Sequence, residues 1–212
     1  MTHAFDKDYW ESHWDGAASE APSNPYVAEA VRGLTPGRAL DAGCGAGAEA
    51  IWLAARGWQV TGADISGRAL AAAAERADAA TGIEPITWIE TDVSTWQPDD
   101  RWDLVMTNYA HPATPQLDFY RHISDWVAPS GVLLIVGHRH VPDAAHHHTH
   151  AHSHSHSPED QPPEKATATI AGITGVLAPE NWRIDVAEEC ERTVRDGVPP
   201  LHDIVVRATR LV

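Results

Sequence analysis

Cysteine is scarce in this sequence: Cys44 and Cys190 are the only two in 212 residues, far apart and in no C-x-x-C pair. No disulfide framework or cysteine zinc motif can be read from them, and a reducing compartment is expected. Long apolar runs are missing as well. The longest, Val132 to Val136, is far too short to cross a bilayer. The opening "MTHAFDKDYWESHWDG" has no apolar h-region, so no secretory signal is visible. A cytoplasmic location with no membrane partner is the expectation. Basic residues are few: 15 Lys and Arg stand against 30 Asp and Glu, for a formal net charge of −15. A nucleic-acid binder needs a basic face to displace counterions from phosphates, so no nucleic-acid partner is expected and a small-molecule substrate is. No internal repeat is visible.

The length suits one domain with a full hydrophobic core. Short β-rich runs ("RALDAG", "QVTGAD", "ITWIETD", "DLVMTN", "GVLLIVG") alternate with helical stretches ("AEAIWLAARG", "GRALAAAAERADAA", "LDFYRHISDWVAP"). That alternation predicts βαβ units and a mostly parallel sheet with helices on both faces. Ser66 is placed to cap the Ala-rich helix and Gly82 to end it, and Pro129, Ser130 and Gly131 to turn the chain into the next strand. Near the end, "WRIDVAEEC" and "LHDIVVRATRL" read as a C-terminal antiparallel hairpin. Residues 1–34 are expected to be a lid segment, 35–137 a cofactor-binding core, and 166–212 a helix with the hairpin. Residues 138–165 carry nine histidines, four prolines and almost nothing apolar, and are read as a flexible insertion.

The sharpest local signal is "ALDAGCGAGAEA", residues 39–50. A strand ends at Asp41, Gly43, Gly45 and Gly47 follow, and a helix opens. Glycines suit a tight turn whose backbone a ligand must approach, and the helix start adds N–H donors. The string also satisfies G-x-G-x-x-A through Ala48, with Asp64 at the spacing of a ribose-binding acid, so an NAD-dependent oxidoreductase stays open on this motif alone. Against it stand the Asp41 carboxylate, which would repel a pyrophosphate and attract an ammonium, the lack of a second substrate domain, and a further acid, Asp92, at the end of the third strand.

"LDAGCGAG", "VTGADIS" and "IETDVSTW", in that order and spacing, resemble motifs I to III of class I S-adenosylmethionine-dependent methyltransferases. The resemblance covers about residues 5–137 and 180–210, and within the superfamily it is similar to the small bacterial branch of tellurite-resistance and thiopurine-type enzymes. It implies a Rossmann-like α/β fold with seven strands and S-adenosyl-L-methionine as cofactor. It also implies roles. Asp41 with the Gly43–Cys44–Gly45–Gly47 loop would hold the methionyl part, Asp64 the ribose hydroxyls, Ile65 the adenine face, and Asp92 with the Val93 N–H the adenine edge. In the tellurite-resistance enzymes a His-Arg pair near the last hairpin is implicated in catalysis. The matching place here reads Glu191-Arg192, which leaves Arg192 as a candidate and puts metalloid acceptors in doubt.

Methyl transfer from a sulfonium needs positioning and exclusion of water more than acid–base chemistry. Asn108, Tyr109 and His111 follow the fourth strand, where parallel sheets bind ligands. Asn108 is expected beside the cofactor, and Tyr109 and His111 at the acceptor, with His111 as a general base or as the group that orients a nucleophile. Tyr9, Trp10, Trp14 and Tyr26 are expected to form a lid and border the acceptor.

The tract "HHHTHAHSHSHS" puts His146, His148, His150, His152, His154 and His156 on every second residue. Such H-x-H pairs chelate zinc, nickel or copper, here as exchangeable, adventitious binding. Protonation near pH 6 would also make the tract strongly positive. A metal-buffering protein on a Rossmann scaffold is therefore the rival of a different class. Monomer or homodimer is left open.

Overall fold

The computed structural model describes residues 5–16, 21–139, 167–192 and 200–212. In chain order the elements are α1 (Lys7–His13), α2 (Pro25–Ala30), β1 (Arg38–Ala42), α3 (Ala48–Ala54), β2 (Gln59–Asp64), α4 (Gly67–Ala79), β3 (Thr87–Glu90), β4 (Trp102–Asn108), α5 (Gln116–Ser124), β5 (Val127–His138), α6 (Ile170–Gly175), β6 (Trp182–Arg192) and β7 (Leu201–Arg210). The strands form one sheet ordered β3-β2-β1-β4-β5-β7-β6. The pairs among β1 to β5 are parallel, while β7 lies antiparallel between β5 and β6. The expected seven-stranded, mostly parallel sheet with a C-terminal hairpin is present. Strand order reverses between β1 and β4, which opens a crevice at their carboxyl ends.

Side chains alternate across the sheet because successive residues of a strand face opposite ways. Leu40, Val105, Leu133, Ile135, Ile204 and Val206 face one side, where Phe119, Tyr120 and Ile123 of α5 and Ile173 of α6 cover them. Ala39, Leu104, Met106, Val132, Leu134 and Val136 face the other, under Val27 of α2 and Ala50, Leu53 and Ala54 of α3. β5 is therefore buried on both faces, which explains the unbroken "VLLIV". Burying one such Leu or Ile contributes about 1.5–3 kcal/mol, so truncation on either face costs the fold heavily.

The local stops differ a little from the sequence reading. Ser66 caps α4 by accepting from Ala69 N at 3.1 Å. The helix ends at Ala79, three residues before Gly82, whose positive φ belongs to the following loop. The Pro129–Gly131 turn is absorbed into β5 as an irregularity. Pairing jumps from Trp102↔Val127 to Leu104↔Val132, and Ser130 takes φ 65°. The fifth strand reaches one residue further than expected. His138 is the last residue of β5, and Arg139 bridges to Ala168. Among the described residues, no helix is long and apolar enough to cross a membrane.

Candidate active site

The crevice between β1 and β4 opens into a cavity of about 1100 Å³. That is just above the usual range of small-molecule pockets, about 300–1000 Å³. Asp41, Gly43, Cys44, Gly45, Asp64, Ile65, Asp92, Val93, Asn108, Tyr109, His111 and Arg192 all line it, as do Tyr9, Trp10 and Trp14. Residues from strand ends, two loops, α1 and the hairpin are thus brought to one chamber.

The β1 end supplies its strongest electrostatic feature. Asp41 is 1% exposed, and its Oδ2 has no hydrogen-bond partner. Burial first, then the nearby Glu49 and Asp64 charges, push its carboxyl well above the usual carboxylate range. Glu49, in the first turn of α3, lines the same wall and accepts from Asn24 N at 2.9 Å. Asp64 accepts from Gly45 N at 2.8 Å and from Ser66 N at 2.9 Å. Its carboxyl is also raised, by burial, with those backbone donors opposing. The Asp64 oxygens thus tie β2 to the glycine loop and keep lone pairs for a ligand. Cys44 lines the loop, where burial first, then the Asp41 and Asp64 charges, hold its thiol well above the ordinary range.

Two of the glycines have separate tasks. Gly45 (φ 50°) lies against Trp14 at the end of α1, where a Cβ would stand 2.9 Å from the Trp14 ring. Gly47 corrects the sequence reading. It does not line the cavity; a Cβ there would stand 2.7 Å from Trp88 and 2.9 Å from Ala73. Its lack of a side chain lets α3 pack close to β3 and α4, the task of a third glycine in such loops.

Asp92 lies just past the end of β3. Its Oδ1 accepts from Ser94 N at 2.9 Å and Ser94 Oγ at 2.6 Å, so one oxygen holds the turn that follows. Asn108 ends β4 with both side-chain amide atoms buried and unpartnered. Tyr109 takes φ 54°, strained for a non-glycine residue. Its hydroxyl accepts from Arg192 at 3.0 Å and Asn24 Nδ2 at 3.4 Å, and burial pushes it up to about 12. His111 has an unpartnered, buried Nδ1. Burial, then the His138 imidazole, lowers its pKa to about 4, with a Gln116 hydrogen bond opposing. His111 is therefore neutral at pH 7.

The hairpin supplies Arg192, whose guanidinium donates to Asp203 at 3.3 Å. Tyr26 is a second correction. It does not line the cavity; its hydroxyl donates to fully buried Asp203 at 3.2 Å, so it braces the hairpin from behind. Glu191 faces His202 across the hairpin, 3.3 Å apart, and neither lines the cavity.

Helix α1 lies over the chamber and is fastened at both sides. Trp10 Nε1 donates to His111 O at 3.3 Å. Glu11 accepts from Gly67 N at 2.7 Å, Arg68 pairs with Glu11 at 3.5 Å and Asp15 at 3.4 Å, and Lys7 pairs with Glu90. Sequence reasoning missed Phe5, Asn24, Glu49 and His138, all of which line the cavity. Glu49 and His138 carried some signal, the first by opening the helix after the glycine loop, the second by ending the fifth strand. The candidate metal ligands His146 to His156 lie outside the described residues, and no three-residue metal cluster occurs among the described ones.

Comparison with known proteins agrees with this geometry. Residues 39–131 match the family described as "Methyltransferase domain". The ribosomal RNA small subunit methyltransferase C of Alcanivorax borkumensis is 35% identical over 113 residues, 50% of this chain and 34% of that protein. Thiocyanate methyltransferase 1 of Brassica oleracea is 33% identical over 101 residues, 45% of each chain. The chain thus spans between about a third and a half of the length of these curated relatives. Among solved structures, TehB from Haemophilus influenzae is similar with a TM-score of 0.67 at 16% identity, over 96% of this chain and 66% of that one. The magnesium protoporphyrin IX methyltransferase ChlM of Synechocystis, with bound SAH, gives a TM-score of 0.66 at 18% identity, over 96% and 97%. At these identities the structural likeness speaks for the fold. The chain thus matches a methyltransferase domain family over residues 39–131 and shares the Rossmann-like fold of these solved structures.

Proposed function

We propose that the protein transfers a methyl group from S-adenosylmethionine to a small-molecule acceptor. The observation that carries this reading is Asp41: a buried carboxylate with an unpartnered oxygen, facing the cavity beside Glu49 and Asp64. Buried charge must be paired, so this wall favours a cation such as an ammonium and opposes a pyrophosphate. The matching family model and a relative named as a thiocyanate methyltransferase support the same class.

In this reading Asp41 holds the amino group of the cofactor's methionyl part, with the Gly43–Gly45 backbone alongside. Asp64 takes the ribose hydroxyls on its remaining lone pairs. Ile65 and Val93 flank the adenine, and the free side of Asp92 accepts from its amino group. Asn108, with unused donors and acceptor, meets the reacting end. When bound, S-adenosylmethionine supplies an electrophilic methyl on a positive sulfur. The protein's own part is to orient the acceptor, to exclude water under α1, and to take a proton where the acceptor carries one. His111 is placed for that step, and its low basicity favours acceptors that release a proton readily. Arg192 and Tyr109, hydrogen-bonded to each other, bound the far end of the chamber.

A relative is named as a ribosomal RNA methyltransferase. The net charge of −15 weighs against so polyanionic an acceptor here. Calorimetry on metal-stripped protein with S-adenosylmethionine, S-adenosylhomocysteine (SAH), NAD and zinc tests the reading. Binding of the first two, with none of NAD, is the expected result. NAD binding alone, or nanomolar zinc binding with no cofactor heat, would replace it with one of its rivals.

A further inference from the structure

Beside the carboxylates the cavity is also lined by Ala21 of the segment before α2, by Ala46 of the glycine loop, and by Arg76 in the last turn of α4. Ala73, one turn earlier on α4, is the residue that packs at Gly47. Residues three apart share a helix face, so Arg76 leaves α4 over the glycine loop. Its Nη1 donates to Ala46 O at 2.9 Å and its Nη2 to Ala21 O at 3.2 Å. A guanidinium carries more N–H donors than two carbonyls can take. Lys7 and Arg192 also line the cavity, but each has an acid partner, Glu90 and Asp203 respectively. Among the described residues, Arg76 forms no ion pair.

The glycine loop itself has little left to offer an anion. Gly43 N and Cys44 N both donate to Ala63 O, at 2.8 and 3.1 Å, and Gly47 N donates to Cys44 O at 2.9 Å. Gly45 N is taken by Asp64. With Asp41 and Glu49 on the same wall, a ligand carboxylate at the loop is repelled unless a cation opposes that field. Resting on the methyl-transfer reading, we propose that Arg76 holds the carboxylate of the cofactor's methionyl part, as the counterpart of Asp41 for its amino group. Both groups sit on one carbon of the cofactor, so their counter-charges must flank one spot. The glycine loop provides that spot, following Asp41 in the chain and joined to Arg76 through the Ala46 carbonyl. The planar guanidinium suits a carboxylate, which it can meet with two parallel N–H···O bonds. Asp41 and Arg76 together then select a zwitterion, and a ligand with an amino group alone satisfies half of the site.

Titration calorimetry on the full chain tests this by comparing SAH with S-adenosyl-3-thiopropylamine, the same molecule without its carboxylate. The wild type should bind SAH more tightly by about 10- to 150-fold, the range of a hydrogen bond between charged groups. Arg76→Gln should bring that ratio close to one by weakening SAH alone, and Arg76→Lys should restore part of it. Equal wild-type affinity for the two ligands overturns the proposal. So does a variant that weakens both alike or keeps the ratio, which would leave Arg76 a clasp between Ala46 and Ala21. If Arg76→Gln does not fold, the wild type decides through phenylglyoxal, which modifies guanidinium groups. SAH should protect Arg76 several-fold better than the decarboxylated analogue, read by peptide mass spectrometry, and equal protection overturns the proposal. Failure of the wild type to bind either ligand refutes the methyltransferase reading itself, an outcome separate from loss of the ratio.

Discussion

Asp41→Asn keeps the shape of a side chain that is 1% exposed and removes its charge. Two effects of opposite sign follow. In the cofactor complex the lost interaction is a charge-assisted hydrogen bond to an ammonium, worth about 1.5–3 kcal/mol. That weakens SAH binding by about 10- to 150-fold. In the cofactor-free protein the same carboxylate is a liability, because burial, Glu49 and Asp64 raise its pKa. The folded state then holds a proton that the unfolded state has released. The favourable contribution is complete below the unfolded carboxylate pKa and is lost as pH rises through the folded value. At neutral pH Asp41→Asn removes that loss, so the free protein should melt at a higher temperature than the wild type, with a smaller gap in acid. Titration calorimetry with SAH and thermal melts across pH 4–8 measure both. Affinity within twofold of wild type, or a lower melting temperature at pH 7, would refute the reasoning.

Gly45→Ala sets a Cβ 2.9 Å from Trp14 at φ 50°, where an alanine costs about 1 kcal/mol in strain; weaker SAH binding and altered tryptophan fluorescence should follow, and a silent substitution would contradict the contact of the loop with Trp14. His111 has its pKa lowered to about 4 from 6.5, so the unfolded state binds more protons between those values. Its stabilising contribution is present above pH 6.5 and is lost as pH falls toward 4, by about 3 kcal/mol at most; His111→Asn should flatten that part of the pH–stability curve, and an unchanged slope would contradict the burial. Glu11→Gln weakens the contacts of α1 to Gly67 and Arg68, and should speed SAH dissociation several-fold in stopped flow while leaving the melting temperature nearly unchanged. Deleting residues 144–162 should abolish nickel retention and leave SAH affinity intact; lost SAH binding would tie the histidine tract to the cofactor site.

What could be read from the sequence was whatever depends on neighbours along the chain. Asp41, Asp64 and the glycine loop stand out because strand, turn and helix follow within a dozen residues. "VLLIV" shows a strand covered on both sides, and Ser66 a cap. What was hidden depends on distant segments meeting. Asn24 becomes a site residue only when its backbone meets Glu49 and its amide meets Tyr109. Asp203 acquires a role because β7 inserts between β5 and β6, bringing Tyr26 and Arg192 to one carboxylate. The same insertion explains why Tyr26, expected at the acceptor, stands behind the wall. His138 was grouped with the histidine tract by composition, yet hydrogen bonding to β7 makes it the end of a strand. Gly47 looked like its two companions in the loop, and only the packing of Trp88 and Ala73 against it separates their tasks.

The most direct test of methyl transfer at this site is a mass-spectrometric assay of S-adenosylmethionine consumption with a mixture of small thiols, phenols and amines. The account predicts SAH formed in equal amount to a methylated acceptor, with both falling at least tenfold in Asp41→Asn. Cofactor left intact across the whole mixture by a wild-type protein that fails to bind it would contradict the account.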